Sequence, residues 1–287
     1  MINSGVKLTI GLPVYNGEKY VEETLVSLQN QTYTDYKLII SDNASTDRTQ
    51  EICQTYASTD DRICYVRNET NIGAMQNWYK TFQLSSGEYF LGAAHDDVFH
   101  PDFVQQCIDV LDRFPDTVVC YTKTKLIDEN GNFLKEFDLS TDISSPKPHV
   151  RLYNALSTDL LCIQLLGVFR SSAFRQTREF WGYYGCDRNA LAELSLLGGI
   201  YEVQDYFFYH RLHPAALGAA KNSGRSLKEL QLWDPGIDWG TRFPTVKRFV
   251  NYFSSIRKLV PGWKEQVLCY IQLFRIILEK SLHRISS

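Results

Sequence analysis

The sequence predicts an α/β protein in which a mostly parallel β-sheet is flanked by helices and followed by a helical C-terminal extension. Two observations favour this class: short apolar runs alternate with amphipathic segments in the first part of the chain, and several runs end on proline or aspartate. A third is that the chain from residue 245 onward carries apolar residues at helical spacing. The content of 44% hydrophobic and 22% charged residues is that of a folded protein with a core.

Strands and helices are predicted to alternate through the first 122 residues. Pro13 stops the first strand and Asp42 ends the second, while Ser45 or Thr46 can cap the helix that follows. Pro101 suits the first turn of a helix. The predicted strands are 8–12, 37–41, 63–66, 88–92 and 118–122, and the predicted helices are 18–29, 45–56, 74–84 and 102–114.

The rest of the chain has a less regular pattern. Segments 125–128 and 133–137 are predicted to form a hairpin around Glu129-Asn130-Gly131, with a loop at 138–150. The later predicted elements are strands 165–170, 200–203 and 207–212, a helix at 188–197, a loop at 213–241, and helices from 245 divided at Pro261-Gly262.

Bulk properties exclude some classes of protein. The formal charge of −3 gives no basic footprint, so we expect no nucleic-acid partner. The seven cysteines are scattered without zinc-like spacing, which predicts reduced thiols and an intracellular protein. The N-terminus lacks a signal-peptide pattern and no apolar run spans a membrane, so a cytoplasmic protein is expected.

Polar side chains follow three of the predicted strands. The segments are Pro13–Gly17, Asp42–Asp47 and His95–Asp97. Because ligands bind at the carboxyl ends of strands in open α/β sheets, these segments form a candidate site. Tyr15 could stack on a base, Asp42 could accept a hydrogen bond from it, and the carboxylates of Asp96 and Asp97 suit Mg²⁺ or Mn²⁺. Asp47 is expected to be a turn former.

The same motifs carry a family resemblance. Pro13-Val-Tyr-Asn16, Gln31-Thr-Tyr33, Ile40–Asp47, Asn71-Ile-Gly73, and Asp96-Asp97 followed by Pro101 occur in the order seen in family 2 glycosyltransferases. The resemblance extends over about residues 6–213. It implies the Rossmann-like GT-A fold and the transfer of sugars from nucleotide-diphosphate donors with inversion.

The resemblance also implies a role for individual residues. Gly185-Cys186-Asp187 looks like the acceptor-side acidic motif, so Asp187 would be the catalytic base, although it could instead merely cap the helix that follows. A Mn²⁺ or Mg²⁺ ion would be held by Asp96, Asp97 and His213. The residues implied to bind the nucleotide sugar are Pro13, Val14, Tyr15, Asn16, Glu18, Asp42, Asn71, Gly73, Asn77, Asp96 and Arg211.

We therefore expect three parts in the chain. Residues 1–213 are expected to form the GT-A domain, with a nucleotide-sugar-binding half at 6–122 and an acceptor half at 123–213. Residues 214–244 are expected to be a flexible loop, and 245–287 a basic amphipathic helical extension. The extension could lie on anionic lipid, or its apolar faces could pack on the catalytic domain or on a second subunit in a homodimer.

The expected function is a metal-dependent inverting glycosyltransferase. A UDP-sugar is the expected donor, and a glycan or lipid-linked acceptor would place the enzyme in bacterial polysaccharide, lipopolysaccharide or glycoconjugate synthesis, in the cytoplasm or peripherally at the inner face of the membrane. The alternative is a catalytically decayed nucleotide-binding scaffold, since Ala94 and Cys186 stand where the family often has acidic residues. A nucleotidyltransferase is disfavoured because residues 12–17 do not form a Gly-rich loop with a basic residue.

Overall fold

The computed structural model describes residues 5–138, 142–157, 162–178, 185–214, 235 and 244–286, and in them one curled sheet carries helices on its faces. The strands are β1 (Leu8–Val14), β2 (Tyr36–Asp42), β3 (Ile63–Arg67), β4 (Tyr89–Gly92), β5 (Val98–Phe99), β6 (Thr117–Ile127), β7 (Phe133–Phe137), β8 (Val168–Arg170) and β9 (Gly199–Arg211). The helices are α1 (Val21–Gln29), α2 (Thr49–Thr59), α3 (Ala74–Leu84), α4 (Phe103–Arg113), α5 (Pro148–Ser157), α6 (Ser171–Phe174), α7 (Asp187–Leu197), α8 (Pro244–Leu259) and α9 (Trp263–Ser286).

The strand order brings the predicted site segments to one edge. The sheet runs β3-β2-β1-β4-β8-β6-β9-β5, with β7 paired to β6. Strands β3, β2, β1 and β4 are parallel, β8 is antiparallel to both neighbours, and β6 is parallel to β9. Val14 lies opposite Asp42, and Gly11 lies opposite Gly92. The turns after β1, β2 and β4 therefore leave the sheet on the same side, and the predicted α/β class is confirmed.

The main core lies on both faces of the sheet. Strands β1 and β2 are buried almost throughout, as expected of parallel strands covered by helices on both sides. Helix α3 approaches β4 very closely, since a Cβ atom added at Gly92 would lie 2.4 Å from the indole of Trp78. Only glycine at position 92 leaves room for this indole, which also packs edge-on against Phe90.

Three strand predictions were wrong in their boundaries. The strand at 118–122 and the first arm of the hairpin are a single strand, β6, because pairing with β9 along almost its whole length keeps it extended. The strands predicted at 200–203 and 207–212 are likewise one strand, β9, with Gln204 and Asp205 exposed in its middle. The strand at 165–170 is a 3₁₀ turn at Ile163–Leu166 followed by the short β8.

Two helix predictions also need correction. Helix α5 begins at Pro148, inside the segment predicted to be a loop over 138–150. Helix α2 begins at Thr49 and not near Ser45, because its first amide groups are satisfied from outside the helix. The Asp47 carboxylate accepts a hydrogen bond from the Thr49 amide at 3.0 Å, and the Glu18 carboxylate accepts one from the Arg48 amide at 2.9 Å. The prediction that Asp47 serves the turn is confirmed.

The C-terminal helices share a second core with the rest of the chain. Leucines of α5 and α7 pack with an inner apolar face of α8 and α9. The residues of this second core are Leu152, Leu156, Ala192, Leu196, Tyr252, Ile256, Val260, Cys269, Leu273 and Ile276. Most of the segment predicted to be a flexible loop, 214–244, lies outside the described residues. No helix in the described part of the chain is both long and apolar enough to cross a membrane.

Candidate functional site

The turns after β1 and β2 are joined by side-chain hydrogen bonds. Asn16 adopts a left-handed conformation with φ of 48°, and its side-chain oxygen accepts a hydrogen bond from the Thr46 amide at 2.8 Å. The Asn16 amide donates to the Ser45 hydroxyl at 3.0 Å. Glu18, whose carboxylate bonds the amide of Arg48, adds a further link. The side chains of Asn16 and Glu18 thus shape the wall of the site by holding its first two turns together.

Asp42, the residue predicted to contact the base, is completely buried. Its carboxylate accepts hydrogen bonds from the Ser45 amide at 2.8 Å and from the Tyr65 hydroxyl at 2.6 Å, and it forms an ion pair with Arg67. Burial, and then the hydrogen bond to Asp42, raises the pKa of Tyr65. Tyr65 and Arg67, two positions apart on β3, are therefore the side-chain partners of the buried Asp42 carboxylate. The sequence analysis missed both, although strand alternation from Ile63 places them on one face.

The loop before α3 is held by a network of amide side chains. Asn77 is buried: its oxygen accepts a hydrogen bond from the Ser41 hydroxyl at 2.7 Å, and its nitrogen donates to the Ser41 carbonyl at 2.7 Å. The Asn71 oxygen accepts hydrogen bonds from the Asn43 side chain at 2.7 Å and from the Gly73 amide at 2.8 Å. Gly73 has φ of 92°, which favours glycine. Asn71, Gly73 and Asn77 position this wall of the site, and a direct contact with the nucleotide sugar stays a prediction.

Asp97 is buried at the base of the site. One of its carboxylate oxygens accepts a hydrogen bond from the Arg211 amide at 2.9 Å and lies 3.0 Å from Nδ1 of His210. The other oxygen, Oδ2, is buried without a hydrogen-bond partner among the described residues. Burial raises the pKa of Asp97. Burial alone would lower the pKa of His210, but the Asp97 carboxylate raises it.

The side chains of Asp96 and His213 are in direct contact. The distance from Asp96 Oδ2 to His213 Nε2 is 2.8 Å, and the imidazole also lies against the ring of Tyr20, with centroids 4.8 Å apart. Burial alone would raise the pKa of Asp96, but the hydrogen bond to His213 and the nearby His95 lower it to about 2. Asp96 is therefore a carboxylate at neutral pH, which makes it a competent ligand for a hard cation.

Arg211 is the largest of the fully buried side chains in the described chain. Its guanidinium donates to the Asp96 carbonyl at 2.8 Å, to the Asp128 carbonyl at 3.3 Å and to the Glu23 carboxylate at 2.5 Å, and it lies over the ring of Tyr20. These contacts join α1, the turn after β4 and the ends of β6 and β9. The structure thus uses Arg211 as an internal clamp, and a contact with the nucleotide sugar stays a prediction that would require some of these bonds to open.

The predicted metal ligands lie close together but do not form a complete site. Among the described residues, no group of three or more His, Cys, Asp or Glu side chains is arranged to hold a metal ion. Asp96 and His213 are in contact, and Asp97 contributes one buried oxygen without a partner. Since Mg²⁺ and Mn²⁺ sites commonly combine one or two carboxylates with substrate phosphates, these residues fit a cation shared with a bound diphosphate.

Asp187 is the first residue of α7 and lies on a cavity. Its carboxylate accepts a hydrogen bond from the Arg188 amide at 2.9 Å, while the residue before the helix, Cys186, forms no side-chain cap. The cavity has a volume of about 200 Å³ and is mostly apolar. Its lining residues are Met75, Trp78, Cys162, Ile163, Leu165, Leu166, Phe169, Phe174, Asp187 and His210.

His210 connects this cavity to the paired aspartates. It lines the cavity together with Asp187, and its Nδ1 atom contacts Asp97. The sequence analysis selected the neighbours Arg211 and His213 and missed His210. Strand alternation could have identified it, because residues 210 and 211 of β9 point to opposite faces and can serve two sides of one site.

The family model named "Glycosyl transferase family 2" matches residues 9–176. Over 132 residues the chain is 31% identical to the uncharacterized glycosyltransferase MJ1057 of Methanocaldococcus jannaschii, covering 45% of this chain and 46% of that protein. The chain spans less than half the length of the curated relatives it matches.

Two solved structures show the same fold. One is S. aureus TarS 1-349 in complex with UDP-GlcNAc, which matches with a TM-score of 0.61 at 17% sequence identity. The match covers 94% of this chain and 80% of the TarS chain. The other is the mannosyltransferase PcManGT from Pyrobaculum calidifontis in complex with GDP-Man and Mn²⁺, which matches with a TM-score of 0.53 at 12% sequence identity. The match covers 95% of this chain and 81% of the PcManGT chain. At these identities the likeness concerns the fold alone.

Proposed function

The chain belongs to glycosyl transferase family 2, and we propose that it transfers a sugar from a nucleotide-diphosphate donor to a hydroxyl group of an acceptor, with inversion. The observation that carries this proposal is the arrangement around His210. This imidazole contacts Asp97 on the donor side and shares a cavity with Asp187, the candidate base. Donor-side and acceptor-side groups are thus neighbours, as a direct displacement requires.

The donor side is built from the turns after β1, β2 and β4. Tyr15 is half-buried and would stack on the base of the donor in a slot between these turns, and Asp42, Tyr65 and Arg67 would form the polar end of the slot. Val14 is buried, and its carbonyl accepts a hydrogen bond from the Asn43 amide at 2.8 Å, so Val14 contributes only to the floor of the slot.

The diphosphate is expected to lie over Asp96, Asp97 and His213. A divalent cation bound there, Mn²⁺ or Mg²⁺, would neutralise negative charge on the diphosphate as it leaves. Asp96 and His213 would hold it, with the unpartnered oxygen of Asp97 nearby. Arg211 and Thr24 hold the turn after β4 in place. The Arg211 guanidinium donates to the Asp96 carbonyl at 2.8 Å, and the buried Thr24 hydroxyl donates to the Asp97 carbonyl at 2.7 Å.

Asp187 is the proposed general base. An acceptor hydroxyl bound at the cavity would give its proton to the Asp187 carboxylate as its oxygen attacks the anomeric carbon, and the nucleotide diphosphate would depart from the opposite face. The apolar walls formed by residues such as Trp78 and Phe174 would disfavour water at the reacting centre once an acceptor is bound. Water exclusion favours transfer to the acceptor over hydrolysis of the donor.

The identity of the substrates is also part of the proposal. A UDP-sugar is the donor we propose, supported by the fold shared with the UDP-GlcNAc complex of TarS, and a glycan or a lipid-linked sugar is the proposed acceptor. Synthesis of a bacterial polysaccharide, lipopolysaccharide or other glycoconjugate would use such a reaction. A divalent cation is supported by the Mn²⁺ in the complex of PcManGT.

A donor screen tests this function. The protein is incubated with UDP-, GDP- and dTDP-sugars, Mn²⁺ and a mixture of sugar acceptors, and released nucleotide diphosphate is measured. We expect release from one class of donor, lost on addition of EDTA. Thermal stabilisation by a nucleotide sugar without release of its diphosphate would favour the nucleotide-binding scaffold, for which Ala94 and Cys186 argue.

A further inference from the structure

We propose that an outward-facing apolar stripe on α9 docks the protein onto an anionic lipid surface. The stripe consists of Trp263, Val267, Ile271, Phe274 and Leu278, and we call it the outer stripe. Its members recur three or four residues apart, so they lie on one face of the helix. The exposed fractions of these side chains lie between 46% and 70%, which is unusual for five large apolar residues on one face of a helix.

Apart from Phe274, whose ring also packs edge-on against Phe253 of α8 at 5.7 Å between ring centres, the outer stripe is distinct from the face of α9 that packs on the protein. Cys269, Leu273 and Ile276 belong to the second core and are buried against α5, α7 and α8. The C-terminal helices therefore have two apolar faces, and packing on the catalytic domain accounts for only one of them. Because the buried face packs in the second core, the outer stripe lies on a helix that is already folded and does not have to fold on binding.

The charge around the outer stripe matches an anionic surface. Residues 244–286 contain Lys247, Arg248, Arg257, Lys258, Lys264, Arg275, Lys280 and Arg284, against only Glu265 and Glu279. Both acids are already engaged: Glu265 contacts Nδ1 of His149 at 2.7 Å, and Glu279 accepts a hydrogen bond from Arg275 at 2.8 Å. The extension is thus strongly positive, and each cation near an anionic membrane adds attraction.

Individual residues also have the chemistry of a membrane interface. Trp263 is the most exposed member of the stripe, and the ammonium of the exposed Lys264 lies 5.8 Å from the centre of its ring. Tryptophan with an adjacent cation is typical of the level of lipid headgroups, where one end of the side chain is apolar and the other meets water. Arg257 and Lys258 add exposed positive charge at the end of α8.

These charges disfavour a second copy of the chain as the occupant. A two-fold symmetric interface would place the outer stripe against itself. Lys264, which lies beside Trp263, would then approach its own copy, while the two acids of the extension, Glu265 and Glu279, are already paired with His149 and Arg275. An anionic bilayer supplies the missing negative charge together with an apolar phase.

Vesicle co-sedimentation of the full-length chain tests the proposal. The variant replaces three members of the outer stripe, Val267→Ser, Ile271→Ser and Leu278→Ser, all exposed. The matched control replaces two exposed apolar residues of β7, Phe133→Ser and Leu134→Ser. We expect the wild type and the control to pellet with vesicles of phosphatidylcholine and phosphatidylglycerol, more weakly at high salt, and the stripe variant to bind at least about tenfold more weakly.

Two further measurements keep the test decisive. Thermal unfolding should be unchanged in the stripe variant, because the replaced side chains lie outside the second core. A variant with Arg257→Gln and Lys264→Gln should lose the preference for anionic vesicles over pure phosphatidylcholine. Equal binding of wild type and stripe variant would overturn the proposal. So would a wild-type dimer in light scattering that the stripe variant dissociates, because the occupant would then be a second copy.

Discussion

His213 and Asp96 are 117 positions apart in the chain, yet His213 Nε2 lies 2.8 Å from Asp96 Oδ2. The contact brings the end of β9 to the turn after β4, on the edge of the sheet where the turns after β1 and β2 also emerge. An ionised carboxylate and an imidazole are groups that would serve as ligands of a divalent cation such as Mn²⁺. The first prediction follows from this pair.

Asp96→Asn and His213→Gln should each weaken Mn²⁺-dependent binding of a nucleotide diphosphate by at least about tenfold, because each removes one ligand of the proposed cation. Calorimetric titration of UDP with Mn²⁺ or with EDTA measures the loss. His100→Gln is the control, since His100 stacks on Phe207 and does not approach Asp96. Wild-type affinity that is the same in EDTA would contradict the cation site.

Asp42→Asn should weaken binding of UDP by about tenfold or more while leaving binding of Mn²⁺-pyrophosphate unchanged. The reason is that Asp42, with Tyr65 and Arg67, forms the end of the slot that would receive the base, and a hydrogen bond to a charged group contributes about 1.5–3 kcal/mol. Asp47→Asn is the matched control, because Asp47 bonds only backbone amides and the Thr49 side chain. If both ligands lost affinity equally, Asp42 would act through the fold and not through the base.

Arg211→Ala should lower the free energy of unfolding by about 2–4 kcal/mol, because it removes a completely buried side chain, its hydrogen bonds to the part-buried carbonyls of Asp96 and Asp128, and its packing against Tyr20. Glu23→Gln should cost under about 1 kcal/mol, since Glu23 is half exposed and water can replace its partner. Urea unfolding followed by circular dichroism compares the two. An Arg211→Ala protein of unchanged stability that fails to bind UDP would show that Arg211 faces the diphosphate.

The sequence predicted the sheet edge well because its signals are local. Strands β1 to β4 are short apolar runs, and such runs favour buried parallel strands. The prediction that Pro13 stops the first strand was wrong, since β1 continues through Pro13 to Val14 beside β2. The carboxyl ends of parallel strands lie at the same edge of a sheet. The sequence therefore predicted that Asp96, which follows β4, lies beside the turns after β1 and β2. These conclusions require no knowledge of distant contacts.

The predictions that failed depend on distant partners. Lys123 and Lys125 interrupt the apolar pattern of β6, and pairing with β9 on one side and with β7 on the other keeps this stretch extended. The burial of Arg211 could not be read from the sequence because its three oxygen partners, on Glu23, Asp96 and Asp128, come from separate segments. Arg67 was missed for the same reason, since its partner Asp42 lies on the neighbouring strand.

The central claim, that Asp187 takes the acceptor proton at the cavity it shares with His210, is tested most directly by turnover of Asp187→Asn on a donor found in the screen. We expect donor affinity within about twofold of wild type and turnover lower by roughly 100-fold or more, as for a lost general base. Asp205→Asn, an exposed carboxylate in the middle of β9, should retain wild-type turnover. Near-wild-type turnover of Asp187→Asn would contradict the account.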